Sequence, residues 1–252
     1  MNALILAAGY ATRLYPLTLD KAKPLLPVGG KPIIEWVVDN LAGVPDLETV
    51  YVVTNNKFAA HFEAWSKHYQ SGKRGTQFKF KIINDGSISD DDKLGAIGDI
   101  NFVATREKLT QDSLLVIAGD NLFTESLVNF VNCARGTDAT VAVYDVGDTE
   151  AIKKYGNITV DAEGIITRFE EKPKKPEGTL AAIAIYYYSP AVLSLLTTYL
   201  AAGNNPDQPG RFVQWLYTRK PVKTFQIEGK WLDIGSKETL ENADEILMKL
   251  KT

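Results

Sequence analysis

Five short apolar runs alternate with stretches of helical periodicity over the first three fifths of this chain, and that alternation restricts the fold most. Residues 3–7, 49–54, 78–83, 113–118 and 139–145 read as strands. Their near-continuous apolar character suits a parallel sheet covered on both faces. Between the first two runs, Ile34, Val37, Val38 and Leu41 fall on one helical face, and Pro32 suits the first turn of that helix. Helices over 59–69, 96–107 and 124–134 fill the other gaps. Thr124 is placed to cap the last of these, with Glu125 beside the positive end of its dipole. Strand–helix alternation at this spacing means βαβ crossovers, hence an open, doubly wound, mostly parallel sheet flanked by helices. Such sheets bind ligands at the carboxyl ends of their strands. The loops after strands one and four, 9–13 and 119–121, are therefore expected side by side.

The pattern changes in the second half. Residues 156–160, 164–170, 180–189 and 222–228 read as extra strands with shorter connections. Ser189-Pro190 starts a helix, and a final helix runs from about Ser236 to the end with Leu240, Ala243, Leu247 and Leu250 along one side. With 252 residues and no repeat or low-complexity linker, one domain over 1–252 is expected, divided near residue 147. A net charge of −3 without a basic tract argues against nucleic acid. No apolar run is long enough to span a membrane, and the N-terminus lacks a basic n-region, so a cytoplasmic location is expected. The single cysteine, Cys133, can form neither an intrachain disulfide nor a metal cluster, and reads as a buried, inert thiol. His61 and His68, seven apart on one predicted helix, read as solvent-facing. The run Asp90-Asp91-Asp92 reads as a solvated loop.

The chemistry concentrates elsewhere. The stretch from Leu6 to Thr18 ends an apolar strand in small residues, Ala7-Ala8-Gly9, whose backbone N–H groups can approach an anion. Arg13 and Lys23 flank that loop, the first offering a planar fork for phosphate oxygens and the second a compact charge. The loop is neither a Walker A sequence nor a Gly-x-Gly-x-x-Gly turn. Asp120 follows an apolar strand and a glycine, which places its carboxylate at the carboxyl edge of the sheet. Asp233 lies in a second strand-to-loop passage, between Trp231 and Gly235. Taken alone, each aspartate also reads as an ordinary turn or cap residue.

Together these stretches resemble the signature of the sugar-phosphate nucleotidyltransferase family, most closely its glucose-1-phosphate thymidylyltransferase branch. The likeness begins with Leu6-Ala7-Ala8-Gly9-Tyr10-Ala11-Thr12-Arg13-Leu14 and Lys23-Pro24-Leu25-Leu26-Pro27-Val28. It continues through Leu94-Gly95-Ala96-Ile97-Gly98, Gly119-Asp120-Asn121, Tyr155-Gly156, Glu171-Lys172-Pro173 and Trp231-Leu232-Asp233-Ile234-Gly235. The order of the elements along most of the chain gives the match its weight. The resemblance implies a Rossmann-like, GT-A-like fold, with a nucleotide-binding part over about 1–147 and a sugar-binding part over about 148–252. It implies transfer of a nucleotidyl group from a nucleoside triphosphate, dTTP or UTP, to a sugar 1-phosphate such as glucose 1-phosphate, with release of pyrophosphate. It further implies nucleotide contacts from Ala8, Gly9, Thr12, Arg13, Gly95 and Asp120, and acceptor contacts from Gly156, Glu171 and Lys172. Arg13, Lys23 and Lys172 would be catalytic, and Asp120 and Asp233 would bind Mg2+, which favours oxygen ligands and takes few carboxylates.

Charge neutralisation and positioning carry most of the work when two phosphates are joined. Three departures stand against the family pattern. Ala11 occupies a usual glycine position, which requires either strain at positive φ or a reshaped loop. Ala184 replaces a glycine near the sugar. The segment 84–93 is longer than in the thymidylyltransferase branch, at the end that selects the base. The chain shows no hexapeptide repeats, so no second acetyltransferase activity is expected. Two other readings share the signature: a CTP-dependent cytidylyltransferase acting on phosphocholine or a similar phosphate, and a non-catalytic nucleotide-binding regulatory subunit. Dimers and tetramers occur among relatives, so a homo-oligomer is a further expectation.

Overall fold

In the computed structural model, which describes residues 1–72 and 78–249, the alternating apolar runs become a nine-stranded mixed sheet with helices on both faces. In chain order the elements begin with β1 (Asn2–Leu6), two-residue strands β2 (Pro27–Val28) and β3 (Lys31–Pro32), α1 (Ile33–Asp39), β4 (Thr49–Thr54), α2 (Ala59–Ser71), β5 (Lys79–Asn84) and α3 (Ala96–Arg106). They continue with β6 (Leu114–Ala118), β7 (Asn121–Phe123), α4 (Val128–Ala134), β8 (Ala139–Asp145), β9 (Gly156–Val160) and β10 (Ile166–Glu171). The last are β11 (Leu180–Tyr188), α5 (Pro190–Leu193), α6 (Leu195–Ala201), α7 (Pro209–Leu216), β12 (Val222–Gln226), β13 (Trp231–Asp233) and α8 (Lys237–Lys249).

The strands β5-β4-β1-β6 are parallel, as βαβ crossovers require. Beyond β6 the sheet turns antiparallel through β11, which also pairs with β8 and β9, so strands from both halves of the chain share one sheet. Successive residues of one strand enter different cores. Ala3, Ile5, Val50, Val52, Leu115 and Ile117 pack on one face. Leu4, Tyr51, Val53, Leu114 and Val116 pack on the other. Burial on both faces explains why these runs are apolar throughout; each fully buried aliphatic side chain contributes about 1.5–3 kcal/mol of transfer free energy. A third cluster, including Leu14, Val28, Leu122, Ile234 and Leu247, anchors α8 beneath the N-terminal loops. Gly29 is needed there: a Cβ would lie 2.8 Å from both Leu247 and Trp36.

Several expectations need correction. The helix predicted from Thr124 starts at Val128, because Thr124 and Glu125 bind a different partner. Thr124 Oγ1 accepts from Lys230 N at 2.8 Å, and Glu125 Oε2 accepts from Glu228 N at 2.8 Å. Pro32 is the extended residue before α1 rather than part of its first turn. Cys133 is half-buried, not buried. Helix α7 and the β7–β13 pair are additional. His61 and His68 are exposed as expected, and Leu250 lies outside the described residues. Among the described residues, no helix is long and apolar enough to cross a membrane.

Candidate active site

The carboxyl ends of β1 and β6 open into a cleft of about 1050 Å³. Neighbouring strand positions bring their loops together: Gly119 N donates to Leu6 O at 2.8 Å, and a Cβ on Gly119 would lie 2.8 Å from that same oxygen. Every candidate nucleotide, acceptor, catalytic and metal residue named from the sequence lines this one cleft: Ala8, Gly9, Thr12, Arg13, Lys23, Gly95, Asp120, Gly156, Glu171, Lys172 and Asp233.

The loop after β1 is held by Asn55, whose Nδ2 donates to Ala8 O at 2.9 Å. Ala11 adopts the left-handed conformation, with φ 48° and ψ 44°, so the chain keeps the shape a glycine would take. Alanine there costs about 1 kcal/mol relative to glycine's freedom. Thr18 Oγ1 donates to Ala11 O at 2.8 Å and holds the turn that presents exposed Arg13. Ala184 also has φ +48°, at an irregularity in the β11–β8 pairing.

The two aspartates meet through strands too short to show periodicity. In the β7–β13 pair Asn121 faces Asp233, so Asp120 lies one residue from its partner carboxylate. Asn121 also holds this junction in place, donating to Ile183 O and accepting from the Trp231 indole. Lys23 Nζ donates to Asp120 Oδ2 at 2.8 Å. Burial within the cleft, then the Asp120 carboxylate, push the Asp233 carboxyl up; Lys23, the Tyr155 hydroxyl and Lys154 oppose that shift. Two hard oxygen donors that repel one another fit a divalent cation completed by substrate oxygens and water. Among the described residues no cluster of three acidic, histidine or cysteine ligands exists.

At the opposite wall, Glu171 is pushed up by burial, against the pull of Lys172 and Arg211. Lys172 takes φ +51° and its N donates to Tyr155 O at 3.0 Å. Two glycines that line the cleft are also packed closely by protein. A Cβ on Gly156 would meet the Phe169 ring at 2.5 Å and Glu171 Oε2 at 3.1 Å, so its missing side chain makes room for protein. Likewise a Cβ on Gly95 would lie 2.7 Å from Pro206 O, so the bare glycine lets residues 206–207 pack against it.

Sequence reasoning missed several lining residues: Lys93, Asp99, Lys153, Lys154 and the segment 207–210 that leads into α7; Tyr10 and Tyr155 were noted only as parts of motifs. Asp99 left a signal, four residues before Val103 on the buried side of α3. Burial first and Asp85 second push Asp99 up to about 8, so it keeps its proton at neutral pH. The run Asp90–Asp92 closes a loop, with Asp92 accepting from Ser89 N at 2.7 Å.

The chain matches the nucleotidyl transferase family across residues 2–249. It is 28% identical over 253 residues to the bifunctional protein GlmU of Methanococcus aeolicus, covering all of this chain and 56% of that protein. It is 28% identical over 255 residues to the UTP–glucose-1-phosphate uridylyltransferase AglF of Haloferax volcanii, covering all of this chain and 98% of that protein. The chain thus spans about half the length of the GlmU relative and nearly all of AglF. Its fold superposes on apo UDP-glucose pyrophosphorylase with a TM-score of 0.81 at 23% identity, covering 100% of this chain and 99% of that one. With sequence match and fold agreeing from β1 to α8, the protein belongs to the nucleotidyl transferase family.

Proposed function

We propose that this chain transfers a nucleotidyl group from a nucleoside triphosphate to a sugar 1-phosphate and releases pyrophosphate. The observation that carries this reading is the convergence of the loop after β1, the Asp120–Asp233 pair and the Glu171-Lys172 turn on one cleft. The glucose 1-phosphate and UTP or dTTP pairing rests on the N-terminal signature and on the name of the AglF relative.

In this reading the triphosphate lies along the backbone of Ala8, Gly9 and Thr12, with Gly95 at the base end. An acceptor phosphate oxygen attacks the α-phosphorus in line, and pyrophosphate leaves. Arg13 stabilises charge that grows on the triphosphate, and Lys23 holds phosphate oxygens when released from Asp120. Lys172 orients the acceptor phosphate, Glu171 accepts from a sugar hydroxyl, and Gly156 forms the floor between them. No general base is needed, because the attacking oxygen is already anionic. Magnesium held by Asp120 and Asp233 would supply charge neutralisation and a common template for both substrates.

The test is pyrophosphate release with magnesium across five nucleoside triphosphates, several sugar 1-phosphates and phosphocholine. Release that requires one triphosphate and one sugar 1-phosphate supports the reading and names the pair. Release with CTP and phosphocholine alone would replace it with the cytidylyltransferase reading. Silence from folded protein that still binds nucleotide would replace it with a regulatory role.

A further inference from the structure

Two polyanions must be brought together in this cleft, so the charge state of each basic side chain lining it matters. Those side chains are Arg13, Lys23, Lys93, Lys153, Lys154 and Lys172. Three are committed to carboxylates: Lys23 to Asp120 at 2.8 Å, Lys93 to Asp90 at 3.1 Å and Asp207 at 3.5 Å, and Lys153 to Glu150 at 2.6 Å. Among the described residues, Arg13, Lys172 and Lys154 have no such ion pair. Arg13 and Lys172 already have roles in the proposed reaction. Lys154 does not.

Its position is well defined by its neighbours. Lys154 ends the 3-10 turn Ala151–Lys154 and precedes Tyr155. Tyr155 is held from three sides. Its carbonyl accepts from Lys172 N at 3.0 Å, its hydroxyl lies 3.4 Å from Asp233 Oδ2, and its ring packs edge-on against Trp231 at 4.9 Å. The β9–β10 ladder ends where Glu171 faces Gly156; just beyond it Lys172 N reaches Tyr155 O, and Lys154 is the residue before Tyr155. Lys154 lines the same cleft as Asp233, beside Tyr155 whose hydroxyl reaches toward that carboxylate. It therefore stands between the acceptor wall and the carboxylate pair, exposed and uncommitted.

We propose that Lys154 is a second cation for the phosphate monoester of the acceptor, gripping it from the side opposite Lys172. The assignment rests on the sugar 1-phosphate reading above. Two cations from separate segments, the turn before β9 and the residue after β10, fix the orientation of a dianionic phosphate as well as neutralise its charge. Lys153 provides an internal comparison: it belongs to the same turn and carries the same charge, but Glu150 neutralises it.

The test uses the full chain and steady-state kinetics with each substrate varied in turn. Lys154→Met is expected to raise KM for the sugar 1-phosphate about 10- to 100-fold, the range of one charge-assisted hydrogen bond. KM for the triphosphate should stay within about twofold on the same grounds, because Lys154 sits on the acceptor wall. Lys154→Arg should recover most of the loss, and Lys153→Met should resemble wild type. An active wild type whose acceptor KM is unmoved by Lys154→Met would overturn this assignment alone, as would a rise confined to the triphosphate. A wild type silent on every substrate pair would overturn the parent reading and this assignment with it.

Discussion

Two pairs of aspartates, Asp120 with Asp233 and Asp99 with Asp85, sit in different surroundings in this molecule. Asp120 and Asp233 meet at the mouth, where Lys23 and Lys154 supply positive charge and the Asp233 side chain reaches solvent. Asp99 is 5% exposed within α3, and its neighbour is Asp85, another carboxyl. In the first pair the upward push of burial and like charge on Asp233 is opposed by Lys23, the Tyr155 hydroxyl and Lys154, the surroundings that the proposed magnesium site requires. In the second, burial and like charge leave one proton in place. Residue type is identical; solvent access and the sign of the neighbours decide which pair can hold a metal and which behaves as a neutral acid.

That contrast yields predictions of decreasing size. Removing either carboxylate at the mouth should be the most damaging change: Asp120→Ala and Asp233→Ala are each expected to lower turnover by about 100-fold or more, with the protein still folded. A near-normal rate in either variant would remove that residue from the metal site.

The buried pair should register in stability. Asp99 has a folded value of about 8 against 3.8 when unfolded, so the native state binds the extra proton between those limits. Its contribution is fully present below about pH 4 and is lost as pH rises to 8, at about 1.4 kcal/mol per pH unit. Asp99→Asn keeps the shape and cannot ionise. It is expected to flatten the fall in melting temperature between pH 5 and 8, and to melt above wild type at pH 8. Parallel profiles for the two proteins would show that Asp99 ionises freely.

A smaller effect is expected where protein, not ligand, fills the space beside a glycine. A Cβ on Gly210 would lie 2.1 Å from Glu171 Oε2, so Gly210→Ala must displace that carboxylate. Acceptor KM should rise about tenfold while triphosphate KM holds. The smallest effect concerns strain: Ala11→Gly should stabilise by at most about 1 kcal/mol, since glycine adopts positive φ freely but loses more entropy on folding. A clear loss of stability would show that the methyl group packs productively.

The legible parts of the fold share one physical cause. Strands buried on both faces, such as Thr49–Thr54 and Ala139–Asp145, show as unbroken apolar runs, and the loops that end β1 and β6 follow from them. The β7–β13 pair left no such trace, because three residues cannot display a period; yet it is what joins Asp120 to Asp233. Helix α7 begins Pro209-Gly210, which reads locally as a turn, and its glycine is explained by the distant Glu171 and Phe169 packed against it. The misplaced start of α4 has the same origin, since Thr124 and Glu125 serve the backbone at 228–230. Local sequence therefore showed the scaffold and most of the lining, whereas the partners that fill Gly95, Gly156 and Gly210 come from remote segments.

Transfer of the nucleotidyl group can be followed through the fate of the α-phosphate. With triphosphate labelled at the α-phosphorus, sugar 1-phosphate and magnesium, the label is expected to move into a product that resists phosphatase, because that phosphorus becomes a bridged diester. It should do so only when both substrates are present, with one pyrophosphate released per label transferred. Label that stays in the triphosphate, or appears as free nucleoside monophosphate whether or not acceptor is added, would contradict the account.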